Sequence, residues 1–233
     1  MERTQRGVIA LVGSGEFLPK SELLDRALLA RLAAPGRVVV LPTASARDGG
    51  DSPARWARMG VEHFKRLGVE VESVMLLTRE DAESSDLAAH IAAANFVYLS
   101  GGKPDYLIET LRGTPCWQAI IAVYRAGGVI AGCSAGAMAL AGEVVSLPLP
   151  WRTKPALGLA PGLAVIPHFD ELPGWLAGSL RLAPWRVAVA GVEGATGLVI
   201  SEQGWTVLGK GSVTIFFDRR ATRYHNGDAV PHS

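Results

Sequence analysis

The chain has 233 residues, 48% of them apolar and 19% charged, with a formal net charge of +1. That is enough apolar material for a sizeable core without staples, and the basic residues are too scattered to favour nucleic acid or an anionic membrane. Two cysteines, Cys116 and Cys133, make no disulfide framework and suit a reducing compartment.

In chain order, the continuous apolar run at 7–13 reads as a buried strand, interrupted by Gly13 and Glu16. It is too short for a signal segment or a membrane span, so a cytoplasmic protein is expected. Residues 20–33 place Leu23, Leu24, Leu28 and Leu32 at helical spacing. A second strand follows at 37–45, ending near Pro42. The stretch 52–68 carries helix punctuation, with Ser52 as N-cap, Pro53 in the first turn and Gly68 just past the end. Strand 69–76, helix 85–94 and strand 95–102 come next, then two helices separated near 113–115 and a buried strand at 128–132. The proline-rich segment 142–162, which holds Trp151, predicts an irregular excursion near the site. Short strands follow to residue 218, the last of them arranged as a meander. Alternating strands and helices imply one α/β domain over 1–233, with a mostly parallel sheet and helices on both faces.

The stretch "AGCSAGA" (131–137) carries the chemistry. Gly132-Cys133-Ser134-Ala135-Gly136 fits the G-x-S-x-G elbow, in which small flanking residues let a strand turn sharply into a helix and lift the serine clear of the sheet. Centring the frame on Cys133 loses both glycines, so Ser134 is the expected nucleophile and Cys133 an inward-facing core residue. A serine hydroxyl needs a base within reach and an acceptor to orient that base. Among five histidines, His63 and His90 fall on helices and His225 and His232 in a polar tail. His168 instead follows the apolar run of "LAVIPHFDE", at the carboxyl end of a strand, where open α/β sheets place their ligands. For the acid, Glu193 ends another apolar run and ranks first, with Asp170 second. Asp170 and Glu171 are close to His168 in sequence, but near neighbours in a loop often point apart. Oxyanion donors are expected from the amide of Ala135 and from Gly102 or Gly101, at the end of the strand before.

Together "YLSGGKPDYLIETL", "GVIAGCSAGAMALAG", "VIPHFDE" and "GVEGATGLVIS", in that order, resemble the S51 serine peptidases, the aspartyl dipeptidase (peptidase E) and cyanophycinase family within the class I glutamine amidotransferase-like superfamily. The resemblance spans roughly residues 7–217. It implies a three-layer flavodoxin-like fold and a triad of Ser134, His168 and Glu193. It also implies Gly102 (or Gly101) and Ala135 as oxyanion donors, a small peptide substrate, no metal or cofactor, and a monomer or homodimer. Cyanophycinase-like members tend to carry an acidic residue and a glutamine after the double glycine, where this chain has Lys103 and Pro104. Lys103, Arg152 and Lys154 are candidate cations for a substrate carboxylate, and Glu16 and Asp170 are further candidate substrate contacts. For Glu16 a helix-capping role competes with binding of a substrate amine. Two rival readings are an amidotransferase-like subunit working through Cys133, and a non-catalytic binding module on the same fold.

Overall fold

The structure, a computed structural model, describes residues 6–146, 152–183 and 185–231. Its first half alternates strand and helix as the periodicity predicts. The elements are β1 (Val8–Val12), α1 (Glu22–Leu29), β2 (Arg37–Leu41), α2 (Ser52–Arg66), β3 (Glu70–Ser73), α3 (Arg79–Ala82), α4 (Ser85–Ala92), β4 (Phe96–Leu99), α5 (Pro104–Leu111), α6 (Pro115–Arg125), β5 (Val129–Cys133) and α7 (Ala135–Leu140). The second half is mostly strand: β6 (Ala141–Ser146), β7 (Arg152–Pro155), β8 (Ala160–Ile166), the short helix α8 (Gly174–Ser179), β9 (Ala188–Val192), β10 (Thr196–Ser201), β11 (Gly204–Gly209), β12 (Ser212–Phe217), β13 (Arg220–His225) and β14 (Ala229–Val230).

Strands β1, β2, β4 and β5 are unbroken apolar runs because both their faces are covered. Ile9, Leu11, Val39, Leu41, Val97 and Leu99 join one core, with Ile91, Leu107, Ile120 and Leu140 of α4 to α7. Val8, Ala10, Val12, Val38, Val40 and Tyr98 join the other, with Leu24 and Leu28 of α1 and Phe64 of α2. Local punctuation sets the helix ends. Gly68, at φ +81°, turns the chain out of α2, and Thr114 caps α6 by accepting from the Trp117 amide. The cap expected at Ser52 lies one residue earlier, at Asp51.

The sheet departs from the mostly parallel expectation. The first sheet has the order β14-β11-β10-β1-β5-β4-β2-β3 and the second β13-β12-β9-β8-β6-β7. Parallel pairing is confined to the block β1-β5-β4-β2-β3 and to β6-β8-β9. The remaining pairings are antiparallel, so both sheets are mixed. The parallel block, counted by strand number, reads 3-2-4-5-1. The flavodoxin order is 2-1-3-4-5; here the first strand takes the outer place.

Three more expectations are corrected. In the proline-rich segment 142–162, expected as an irregular excursion, the described residues build β6, β7 and the start of β8, and 147–151 lie outside them. Its proline Pro155 is tolerated because it ends β7, an edge strand. Trp151, expected to cap the site, lies outside the described residues. The terminal strands do not form a meander: β10 and β11 join the first sheet, β12 and β13 the second, and β14 returns to the first. His225, expected in a polar tail, ends β13 and pairs with Ser212, while His232 lies outside the described residues. Asp218 and Arg219 both take positive φ, which gives the β12–β13 hairpin a two-residue turn of the kind that matches strand twist.

Candidate active site

The carboxyl ends of β1, β4 and β5 in the first sheet and of β8 and β9 in the second deliver the loops that matter. Ser134 follows β5 at φ 51° and ψ −111°, a backbone conformation that costs a non-glycine residue about 1–3 kcal/mol. The surrounding packing holds it there, and both flanking glycines are required. A Cβ on Gly132 would lie 2.5 Å from the Gly136 carbonyl group, and one on Gly136 would lie 2.3 Å from the Leu99 carbonyl oxygen. The elbow read from the sequence is therefore formed, with the Ser134 amide bonded to the Val12 carbonyl.

His168 follows β8 and also has positive φ, at 52°. Its Nε2 is 3.1 Å from Ser134 Oγ, and its Nδ1 is 3.0 Å from Glu171 Oε1. Residues 169–171 form one 3-10 turn, in which positions three apart come to the same side; that turn swings Glu171 back beneath the imidazole. The pair is half open to solvent, with 41% of the His168 side chain and 64% of the Glu171 side chain exposed.

Glu193, ranked first as the orienting acid, is engaged elsewhere. Its Oε2 accepts from the Ser212 amide at 2.8 Å and its Oε1 from Arg223. The carboxylate thus ties β9 to β12 and β13, and Glu171 takes the place beside the imidazole. Asp170, ranked second, accepts from the Gly194 amide at 2.9 Å. It pins the loop after β9 to the loop after β8, and it does not reach His168.

The double-glycine loop after β4 packs against the nucleophile: a Cβ on Gly101 would lie 3.5 Å from Ser134 Cβ. The Gly101 amide donates to Glu16 Oε1 at 2.9 Å, which removes it as an oxyanion donor. The Ser100 amide donates to Leu41 and the Lys103 amide to Ala44. Among the described residues Gly102 is the member of this loop whose amide has no acceptor, and its lack of a side chain is forced, since a Cβ would lie 2.3 Å from the Ala44 carbonyl. The Ala135 amide opens α7 and has no helical acceptor.

Glu16 neither caps a helix nor faces the solvent. It is 5% exposed, and its second oxygen accepts from the Cys133 thiol at 2.9 Å. Cys133 is buried as expected, and burial, then the Glu16 carboxylate, pushes its thiol well above the ordinary range. Burial also raises the Cys116 thiol, to about 11. Both therefore stay as S–H at neutral pH and sit out of reach of reagents. Native protein at pH 8 is expected to react with no equivalent of a thiol-specific disulfide reagent, and with two after denaturation in guanidinium. A fast-reacting thiol in the native protein would contradict the burial of Cys133.

The remaining candidates are peripheral. Lys103 is exposed ahead of α5, Lys154 pairs with Asp105, and Arg152 is exposed on β7. His90 lies on an exposed helix face near Glu72. His63 lies on the buried face of α2 and bonds Asp25 at 2.8 Å. Among the described residues no helix is long and apolar enough to cross a membrane.

A hydroxyl raised on a strand-to-helix elbow and met by an imidazole is the arrangement of a serine hydrolase. The comparisons agree and are more specific. The model of peptidase family S51 matches residues 9–215, and the chain belongs to that family. It is 30% identical over 227 residues to a cyanophycinase of Trichormus variabilis, covering 92% of this chain and 74% of the relative. The crystal structure of a peptidase from an acI-B1 Actinobacterium superposes with a TM-score of 0.87 at 31% identity, covering 98% of both chains. A candidate peptidase E protein from Listeria monocytogenes EGD-e shares the fold, with a TM-score of 0.64 at 17% identity over 88% of this chain and all of that one.

Proposed function

We propose that this S51 member is a serine peptidase acting on dipeptides or short peptides, with Ser134 as nucleophile, His168 as base and Glu171 as the acid that orients it. The observation that carries the reading is the unbroken chain of contacts from Ser134 Oγ to His168 to Glu171. Ser134 attacks the acyl carbon as His168 Nε2 takes its proton. The amides of Gly102 and Ala135 stabilise the oxyanion, His168 returns the proton to the leaving amine, and water releases the acyl group by the same route. A cleft of about 350 Å3, walled by Asp48, Asp51 and Arg55, reaches Gly102 at its edge, while Ser134, His168 and Glu171 do not line it. The family fold and the helices on both faces of the parallel block support the class I glutamine amidotransferase-like assignment. The rival reading through Cys133 is disfavoured, because that thiol is buried and bonded to Glu16. Hydrolysis of a dipeptide library, together with covalent labelling of Ser134 by a fluorophosphonate probe, tests the proposal. A protein that neither labels nor cleaves any dipeptide is a binding module instead.

The choice of acid makes its own prediction. Glu171→Gln should lower kcat by about 10–100-fold with little change in KM. That is below the ~10⁴-fold lost when a buried orienting carboxylate is made neutral, because water can replace an exposed one. Glu193→Gln should leave kcat within about threefold and lower stability by about 1 kcal/mol through its weakened bonds to Ser212 and Arg223. Steady-state rates and thermal unfolding of the two variants decide the assignment; the reverse pattern would restore Glu193.

A further inference from the structure

Glu16 is a buried carboxylate that the mechanism above leaves unused, and its surroundings are unusual. Among the described residues no lysine or arginine bonds to it; it receives a backbone N–H from the double-glycine loop and an S–H from the elbow. A carboxylate offers two acceptor oxygens and no donor when ionised, so one side chain satisfies both neighbours at once. The contact is tight, since a Cβ on Gly101 would lie 2.8 Å from Glu16 Oε1 as well as 3.5 Å from Ser134 Cβ. Glu16 is itself held from behind. The next residue, Phe17, is buried at φ 62° and packs on Tyr98, His63 and Phe64 at ring-centroid distances of 4.9, 6.0 and 6.2 Å.

We propose that Glu16 is a positioning residue for the oxyanion site: its buried carboxylate clamps the β4–α5 loop to the elbow, occupying the Gly101 amide so that the Gly102 amide is the one presented to the reacting oxygen. The proposal rests on the hydrolase reading above and adds to it a part played from the loop after β1. Glu16 touches no substrate. It acts through Gly101 on one side and Cys133 on the other, one just after β4 and one ending β5, and the carboxyl ends of these strands must be held in fixed relation for two amides to converge. Donors aimed at a charge that develops only in the transition state raise the rate without tightening ground-state binding. Loosening the clamp therefore slows the chemical step and leaves binding alone.

The test uses fluorophosphonate labelling of the full chain, which needs no knowledge of the natural substrate. Its phosphoryl oxygen must be held by the same amides as Ser134 attacks phosphorus and fluoride leaves. Glu16→Met keeps the length and volume of the side chain and removes both acceptors. Its maximal labelling rate should fall about 10–100-fold, below the loss of a whole oxyanion donor. The probe concentration giving half that rate should stay within about twofold. Glu16→Gln keeps an acceptor oxygen for the Gly101 amide and an N–H for the Cys133 sulfur, and should hold its rate within about fivefold of wild type; Cys133→Ala releases the elbow side and should slow the maximal rate several-fold at an unchanged half-rate concentration. A purely structural role for Glu16 predicts a lower melting temperature in all three with no such split. Folded Glu16→Met labelling at the wild-type rate overturns the proposal, and so does a loss confined to probe affinity. Should Glu16→Met not fold, Glu16→Ala takes its place: a maximal rate at least tenfold down at an unchanged half-rate concentration upholds the clamp, and a rate above that overturns it. A wild type that does not label at Ser134 overturns the hydrolase reading and this proposal with it, whereas normal wild-type labelling with an indifferent Glu16 overturns this proposal alone.

Discussion

Replacing Ser134 by Ala is expected to lower kcat by about 10⁵–10⁶-fold, the scale on which an elbow nucleophile matters when base and orienting acid act as a unit with it. The expectation comes from the geometry: the hydroxyl is 3.1 Å from His168 Nε2. The adjacent thiol of Cys133 cannot take over, since it is buried and donates to Glu16. Rates at saturating concentration of the best substrate from the dipeptide screen provide the measurement, with Cys133→Ala beside it as the contrasting variant. A Ser134→Ala enzyme keeping more than about 1% of wild-type turnover would remove Ser134 from the nucleophile's role.

Loss of the imidazole should be nearly as severe. His168→Ala is expected to lower kcat by about 10⁴–10⁶-fold, because a serine hydroxyl without a base is a weak nucleophile at neutral pH. The informative variant is the double one. Residues that act as a unit show grossly non-additive losses, so Ser134→Ala with His168→Ala should be no slower than Ser134→Ala alone, within about threefold. Additive losses would mean that the hydrogen bond between them serves packing. KM should move little in any of these variants, since neither side chain is placed to hold the ground-state substrate.

Much of this site is legible in the chain because it depends on short-range constraints. Gly132 and Gly136 are required because an added Cβ would lie 2.5 and 2.3 Å from neighbouring carbonyl groups, so the elbow is written as two glycines around a serine. His168 stands at the end of an apolar run, and β8 ends two residues before it. That His168 meets Glu171 rather than the expected Glu193 has an equally local cause. A single 3-10 turn brings Glu171 back under His168, and a sequence reading that treats loop neighbours as diverging overlooks a His and a Glu three residues apart. For Glu193 the reason is the opposite. It does lie at a strand end, but its carboxylate is claimed by Ser212 and Arg223, 19 and 30 residues further on. Strand direction was hidden as well. A short buried run such as β10 reads alike whether its neighbour lies parallel or antiparallel, and nothing in 196–230 announces that successive hairpins go to different sheets.

Ser134 and His168 come from different sheets, Ser134 from the end of β5 and His168 from the end of β8. Their hydrogen bond thus works as a gauge of how the sheets are aligned. A slip of about 1 Å between the slabs, too small to disturb either ladder of backbone bonds, is enough to cost on the order of 100-fold in rate. In this molecule the Ser134–His168 contact is a finer ruler of native alignment than helix or strand content, and the Ser14–Gly194 bridge, from the loop after β1 to the loop after β9, is one pin across the seam that holds that ruler true.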